Sequence, residues 1–466
     1  MIDVRASDTS GARNGLRFLL RGLSAALAIL FVTSCGNDLF IAGTPIITLT
    51  VNHGQYTSYV VSIDEILMTR KDGTVIQVPI AFTSSNGLSE GIDLAQLTNT
   101  VQFMSAPAIE QGTYVSATFE LNYSVGAITI DAGGVPGATN LIDENTAVAP
   151  GEEQFTVNFD PNNPLVVGNQ TGSLINFNID LEASGTVDNS NGLPANVTIH
   201  PMVTGSAVPV YDKPIYVRGL FVLADTNSGT FVMNTRPLHD MANQPTGAVT
   251  IVPSATTYYN IDGVTYVGAD GIKQLDALKA ETASLQIAAI GPAGSSTIGN
   301  LGKVTPTFAA TEVYAGSSLE STIQDRITGI VKGRSDETLT IWGASLVDRS
   351  GQAGFTQDIP VTLAHYTSPN SPGTVVSVDG VASPSPMPTI DTISVGQYVE
   401  ISGQANPANA SNGYINPDGS FNPTGLDATF GQVRIKPTTL WATLSSVTPG
   451  SALVSLDWIQ YYKPSL

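Results

Sequence analysis

The side chains that could do chemistry are few: one cysteine, four histidines, and 39 acidic residues against 19 basic ones in a chain of 466. A thiol can serve as nucleophile, redox group or acyl acceptor, and a single cysteine in an exported chain calls for one of these roles. That thiol is Cys35. The histidines are His53, His200, His239 and His365, no two within four residues of each other. With no HExxH and no CxxC, the spacing offers no local zinc site. His239-Asp240 is an adjacent pair of the kind that is usually solvated in a loop. No GxSxG elbow signals a serine hydrolase. No GxxxxGK[ST] loop or dinucleotide fingerprint signals nucleotide use. The sequence therefore assigns no catalytic, cofactor-binding or metal-ligating set.

Acidic and amide-rich loops raise the question of calcium, which takes six to eight oxygens from Asp, Asn and backbone carbonyls. The candidates are Asp143-Glu144, Glu152-Glu153, Asp160 with Asn162 and Asn163, and Asp188–Gly192. None fits the DxDxDG loop with its distant Glu. Turns of an all-β chain need these residue types in any case, so a structural turn is the stronger reading of each and calcium stays open. Aromatic residues raise the question of sugar stacking. Tyr258-Tyr259, Tyr366, Tyr461-Tyr462, Trp342, Trp441 and Trp458 have the flat rings that suit it. Aromatics also fill strands and cores, and the three tryptophans sit in strand-like alternation, so the core reading leads.

The N-terminus decides what Cys35 is for. Residues 1–21 hold Arg5, Arg13, Arg17 and Arg21 against Asp3 and Asp8. An uncharged run follows from Gly22 to Ser34, GLSAALAILFVTS, 13 residues long. A bilayer-spanning helix needs roughly 20 apolar residues, whereas a positive segment followed by a run of this length is the pattern of a secretory signal peptide. Cys35 comes next. Val32-Thr33-Ser34-Cys35 resembles the bacterial lipobox: an aliphatic residue, two small residues, then the cysteine that is acylated and becomes the new N-terminus. Leu is more usual at Val32, and Ala or Gly at Ser34. The resemblance implies palmitate-type acylation at Cys35. Residue Gly36, where Asp commonly marks retention in the inner membrane, implies a cell-envelope location at the outer membrane. A simple cleaved signal beside an incidental cysteine is the alternative.

Residues 1–34 carry a charge of +2, which leaves −22 on the rest of a chain whose total is −20. An acidic surface of this kind argues against a nucleic-acid partner, since phosphates are neutralised by clustered Lys and Arg. Hydrophobic residues at 42% against 12% charged give enough material for real cores. The remaining length suggests about three domains at roughly 150 residues each.

Strand signals dominate. IITLTV (46–51) alternates. YVVSIDEILMT (59–69) runs through Lys71-Asp72-Gly73 into TVIQVPI (74–80), and an Asp-Gly turn between alternating runs predicts a hairpin. GIDLAQL (91–97) predicts a short helix over Ile92–Leu97. EQGTYVSATFELNY (110–123) follows, and its Gly112-x-Tyr114 suggests a tyrosine corner, in which the hydroxyl bonds nearby backbone. FTVNF (155–159), SLINFNIDL (173–181) and ANVTIHPMV (195–203) complete the set. With VVSIDEILMTRKDG, IDLAQL, QGTYVSATFEL and the closing NFNIDLEASG and NVTIHPMV segments, residues 45–205 resemble a domain of unknown function common near the N-terminus of bacterial lipoproteins. That domain is a β-sandwich similar to prealbumin-like and carboxypeptidase-regulatory-like domains. The resemblance implies fold and an exported setting, and no activity.

The remainder reads as repeats. YVRGLFVLADTNSGTFVM (216–233) and RITGIVKGRSDETLTIW (326–342) share a hairpin plan, and LWATLSSVTPGSALVSLDW (440–458) suggests a third copy. Arg218 to Arg326 is a spacing of 108 residues, a plausible repeat length. SATTYYNIDG (254–263) and TLAHYTSPN (362–370) supply the next strand of each unit. GIKQLDALKAETA (271–283) predicts a helix. ASLQIAAIGP (283–292) with FAATEVYAG (308–316), and VGQYVEISGQ (395–404) with ATFGQVRIK (428–436), close the units. VGQYVEISG resembles a family of uncharacterised bacterial repeats built as compact OB-like barrels; ASLQIAAIG lacks its leading glycine.

The expected fold is all-β: a signal peptide at 1–34, a lipidated tether at 35–44, a β-sandwich at 45–208, small β-barrel-like domains at 214–322 and 325–438, and a C-terminal hairpin at 439–466. The expected function is that of a non-enzymatic envelope or surface module array. It would be held to a membrane through Cys35, with an envelope protein or carbohydrate as partner. A secreted enzyme acting on polysaccharide, or a carbohydrate-binding protein, is the alternative. The two differ in what folding should bring together: a deep cleft with paired carboxylates for the enzyme, flat faces for the module.

Overall fold

The computed structural model describes residues 42–460 apart from 53–55, 79–91, 99, 125–127, 132–135, 145–149, 169–172, 237–245, 282–283, 301–304, 320–323, 348–352, 366–372, 380, 382–386, 407–423, 437–438 and 449–450. The expected signal peptide, lipobox and Cys35 lie outside the described residues, as do His53, His239, Tyr366 and Tyr461-Tyr462. Among the described residues, no helix is long and apolar enough to cross a membrane.

The chain is all-β. The main strands of its first part are β1 (Ile46–Asn52), β2 (Tyr56–Arg70), β3 (Val101–Ser105), β4 (Gly112–Asn122), β5 (Ile128–Asp131), β6 (Pro136–Asp143), β7 (Glu152–Asn158), β8 (Leu174–Asp180), β9 (Gly185–Asp188), β10 (Ala195–Ile199) and β11 (Val203–Ser206). One sheet has the order β7-β4-β2-β5-β6-β10-β9, and the other begins β11-β8-β1-β3. Their inner faces share one core, in which Val61, Ile63, Phe119 and Leu121 of the first sheet meet Ile47, Leu49, Ile175 and Phe177 of the second. Burying each such side chain contributes about 1.5–3 kcal/mol. The alternation of inward apolar and outward polar residues at period two is what selects this sandwich. The tyrosine corner forms as expected: Tyr114 Oη donates to Glu110 O at 2.7 Å. Ile92–Leu97 splits into a two-residue strand and a 3-10 turn, Leu94–Leu97, capped by Asp93, which accepts from Ala95 N at 3.1 Å.

Strand β1 is buried on both faces for a physical reason. Ile47, Leu49 and Val51 belong to the sandwich core, whereas Ile46 belongs to the next core along the chain. Strand β3 divides likewise, with Met104 in the first core and Val101 and Phe103 in the second. The second sheet therefore continues into the following domain, through parallel pairing of β3 with β12 (Ile215–Asp225).

That domain is a closed five-strand barrel of β12, β13 (Thr230–Thr235), β14 (Ala248–Ile261), β15 (Gln286–Gly291) and β16 (Thr307–Ala315). Around the barrel the order is first, second, third, fifth, fourth, back to first; only third and fifth are parallel. Between third and fourth lies α1 (Ala269–Glu281), two residues ahead of the expected span. It seats Ile272 and Leu275 in the barrel core. Gly271 is required there, because a Cβ would stand 2.2 Å from the Tyr259 ring.

A second closed barrel repeats the same order and the same parallel pair with β17 (Asp325–Ser335), β18 (Thr338–Val347), β19 (Ala353–Thr362), β20 (Val375–Val378), β21 (Tyr398–Asn406) and β22 (Gly425–Ile435). Here the third strand is broken in two. The counterpart of Tyr258–Ile261 is β20, not the expected 362–370, since both run parallel to the fifth strand in the same register. The short turn Ile390–Thr392 stands where the first barrel has its helix.

The repeat holds residue by residue. Val217, Ala289 and Val313 stand abreast on strands one, four and five; so do Ile327, Ile401 and Val433, all facing their own cores. The same register makes Tyr216, not Arg218, the counterpart of Arg326. A buried threonine joins the halves of each barrel identically: Thr257 Oγ1 donates to Ala310 O at 2.7 Å, and Thr374 Oγ1 to Ala428 O at 2.7 Å. The last elements among the described residues are a hairpin of β23 (Thr439–Thr448) and β24 (Ser451–Gln460). Nearest the turn, each of the three hairpins skips one residue, Val222, Lys332 or Ser445, and then makes three pairs; the second and third hairpins have a further register shift.

Candidate functional site

The acidic loops resolve mainly into turns. Asp160 Oδ1 accepts from Asn162 N at 2.9 Å, and its Oδ2 from Asn163 Nδ2 at 2.9 Å. Asp188 Oδ1 accepts from Ser190 N at 3.0 Å. These donors hold both carboxyls below the usual range, led by the Asn162 amide for Asp160 and by Ser190 for Asp188. Each carboxylate thus does what an Asx turn requires of it.

Glu152 and Glu153 lie on successive positions of β7 and so point to opposite faces. Burial, and then the nearby Asp143 carboxyl, push Glu153 up. Glu152 instead joins Asp64 and Glu120, and the carboxylate oxygens of these three come within 4.8 Å of one another. This trio could offer oxygens to a cation. Its oxygens already receive Ser62 Oγ (2.5 Å), Asn122 Nδ2 (3.1 Å) and Gln154 Nε2 (2.6 Å). The sequence spacing of 64, 120 and 152 carries no signal for it, because only the register of β2, β4 and β7 brings the residues together.

His200 and His365 are the histidines among the described residues, and they are not brought together: His200 follows β10 in the sandwich, and His365 follows β19 in the second barrel. His365 Nδ1 lies 3.8 Å from Asp391 Oδ2 at an exposed site. Tyr258 and Tyr259 are 2% and 0% exposed, so neither is a stacking platform. Trp342 is also buried. The backbones of Trp441 and Trp458 are register partners in the C-terminal hairpin. A shallow open groove of about 310 Å³ is lined by Arg70, Lys71, Asp72 and Thr113. Arg70 there is committed to Asp72 at 3.0 Å and Glu110 at 2.9 Å.

The densest charge chemistry lies elsewhere, between the two barrels. Strands one, four and five of each barrel present an outward row in matching register: Arg218, Ala288 and Tyr314 in the first; Thr328, Glu400 and Arg434 in the second. The two rows meet. Arg434 donates from Nε and Nη2 to the two oxygens of Asp379, at 3.0 and 2.8 Å. Its Nη1 donates to Glu400 Oε1 at 2.7 Å and, across the boundary, to Ser318 O at 3.0 Å. The guanidinium carbon lies 3.9 Å from the centre of the Tyr314 ring. Lys436 Nζ reaches Glu400 Oε2 at 3.2 Å, and Arg326 Nε stands 3.8 Å from Oε1. Gln432 Nε2 meets Asn260 Oδ1 at 3.4 Å, and Ser318 Oγ donates to the same oxygen at 2.6 Å.

Burial is the largest single influence on each group here, but paired charges can outweigh it. It pushes the Glu400 carboxyl up, but Lys436, Arg434 and Arg326 together outweigh it and hold the group well below the usual carboxylate range. Burial pulls Arg434 down, and Asp379 and Glu400 outweigh it, so it stays charged. Glu312, which accepts from Tyr314 Oη at 2.6 Å, is pushed up by burial. A desolvated cation over a ring is worth about 2 kcal/mol, and stripping one partner from a buried ion pair costs about 3–5 kcal/mol. The arrangement joins two domains. Its acids and bases face each other and not an open cleft.

Sequence reasoning missed this cluster. Glu400 in YVEIS and Arg434 in QVRIK stand at outward strand positions, where a charge ordinarily means solvent. No protein-family model, curated protein or solved structure matches this chain.

Proposed function

We propose that this chain is an exported lipoprotein, acylated at Cys35 and held at the cell envelope, whose β-domains form a non-enzymatic binding or structural scaffold. The observation that carries the reading is the uncharged run of 13 residues ending in Val32-Thr33-Ser34-Cys35, the chain's one cysteine. Each buried methylene of an acyl chain contributes about 0.8 kcal/mol, and two or more chains anchor stably where one does not. Membrane attachment then needs no spanning segment.

Two structural observations support the scaffold part. The sandwich and first barrel share a continuous sheet through β3 and β12. Arg434 is consumed in joining the two barrels, and Glu400 is consumed in pairing with it. The strand order one-two-three-five-four of each barrel is that of the OB fold, whose second and third strands and adjoining loops bind oligosaccharides and oligonucleotides. With −22 on the chain after residue 34, an envelope protein or carbohydrate is the favoured partner and nucleic acid is not. The sandwich belongs, in this reading, to the lipoprotein-associated domain that residues 45–205 resemble. An enzyme acting on polysaccharide is the second reading, favoured by the Asp64, Glu120 and Glu152 trio alone.

The test is membrane fractionation of the native chain against Cys35→Ala. The anchored reading requires the native protein in the membrane fraction and the variant released from it. Equal membrane association of both would overturn it.

A further inference from the structure

We propose that the two barrels move as one rigid body, and that Arg434 is the latch that holds the first barrel against the second in a single orientation. Neighbouring domains joined by a modest polar interface ordinarily swing relative to each other. Three observations say that these do not.

The first is preorganisation. Asp379 and Glu400, both on the second barrel, grip the guanidinium of Arg434 before the first barrel is considered. Docking therefore freezes little additional side-chain motion, and the contacts across the boundary keep their full value. The second is direction. The bond from Nη1 to Ser318 O and the stack on Tyr314 approach the planar guanidinium from different sides, along its edge and over its face. A planar group engaged both ways fixes an angle as well as a distance. The third is the neighbouring seam of Gln432, Asn260 and Ser318, which repeats the restraint two residues along strand five. The Arg434 side chain is 6% exposed, so water does not compete for these bonds.

The inference is independent of the membrane anchor, and its test uses the full chain carrying Cys35→Ser. Spin labels are attached at Asn227→Cys and Ser335→Cys, exposed positions at the hairpin turns of the two barrels. The distance between them is read by pulsed electron resonance. The latch requires one narrow distance distribution in the parent protein. It requires a broadened or two-peaked distribution in Arg434→Met, with the circular dichroism of the parent. Tyr314→Leu supplies the second arm. It removes the stack from the other barrel while leaving every charge of the second barrel paired, and it broadens the distribution as well. If Arg434→Met fails to fold, Tyr314→Leu decides. A broad distribution in the parent overturns the proposal, and so does a distribution in the folded variants as narrow as the parent's.

Discussion

Tyr314 and Arg434 hold the same register position on the fifth strands of two repeated barrels, and they lie against each other, guanidinium over ring at 3.9 Å. A contact between equivalent residues is what an approximately two-fold, self-complementary pairing places at its centre. The repeats have diverged where they meet: Ala288 against Glu400, Tyr216 against Arg326, Glu312 against Gln432. The first barrel brings Tyr314 and Ala288 beside Arg218, and the second brings Glu400 and Arg434.

Removing the guanidinium should therefore be expensive. Arg434→Ala strips Asp379 of the guanidinium that pairs both its oxygens and leaves Glu400 with Lys436 and Arg326 alone, and a loss of about 3–5 kcal/mol is expected. Pairing it with Asp379→Ala should cost less than the two single losses added, because the second change removes the stranded charge. Urea denaturation of the three variants checks this. Strict additivity would mean that the pair is not coupled.

Acid should weaken the same interface. Glu400 has a folded pKa below its unfolded one, so its stabilisation is fully present above the ordinary glutamate value of about 4.3 and is lost as pH falls toward the folded value. Glu312 has the opposite sign: its pKa is raised, so its contribution is present below the ordinary value and is lost as pH rises through the folded one. Acid therefore removes what Glu400 contributes and preserves what Glu312 contributes. Glu400→Gln should flatten the urea midpoint's decline between about pH 5 and pH 3. An unchanged slope would place the acid sensitivity elsewhere.

The repeat itself is testable through its two threonines. Thr257 also accepts from Ser254 N at 2.7 Å, and Thr374 from Ala364 N at 2.9 Å, so each hydroxyl serves a part-buried amide and a buried carbonyl bond. Thr257→Val and Thr374→Val keep the shape and strand both partners, at about 1–3 kcal/mol each. Closely matched losses in calorimetry are expected. A large loss in one barrel with none in the other would separate the two sites.

The strand content was legible because apolar residues alternate at period two in segments such as IITLTV and YVVSIDEILMT. The tyrosine corner was legible because Gly112 and Tyr114 are local to one another. What sequence could not carry is register over long separations. The broken third strand of the second barrel has Val375–Val378 doing the work expected of 362–370, and no local pattern announces that jump. The interface was hidden for the same reason. Asp379 in the turn after β20, Glu400 in β21 and Arg434 in β22 are each unremarkable in their own segments, and only the closing of the barrel brings them within hydrogen-bonding distance.

Gly219 gives a further check on the first hairpin. A Cβ there would sit 1.9 Å from the backbone oxygen of Asn234, so Gly219→Ala must push β12 and β13 apart. Overpacking of this kind costs about 1–3 kcal/mol. Thermal unfolding of Gly219→Ala should show the loss, and a melting point equal to the parent's would contradict the close approach.

The anchor is tested most directly by the mass of the native protein purified from membranes. The account predicts a chain that begins at Cys35, lacks residues 1–34 and carries acyl groups on that residue. A chain with Met1 intact and the Cys35 sulfur unmodified would contradict it.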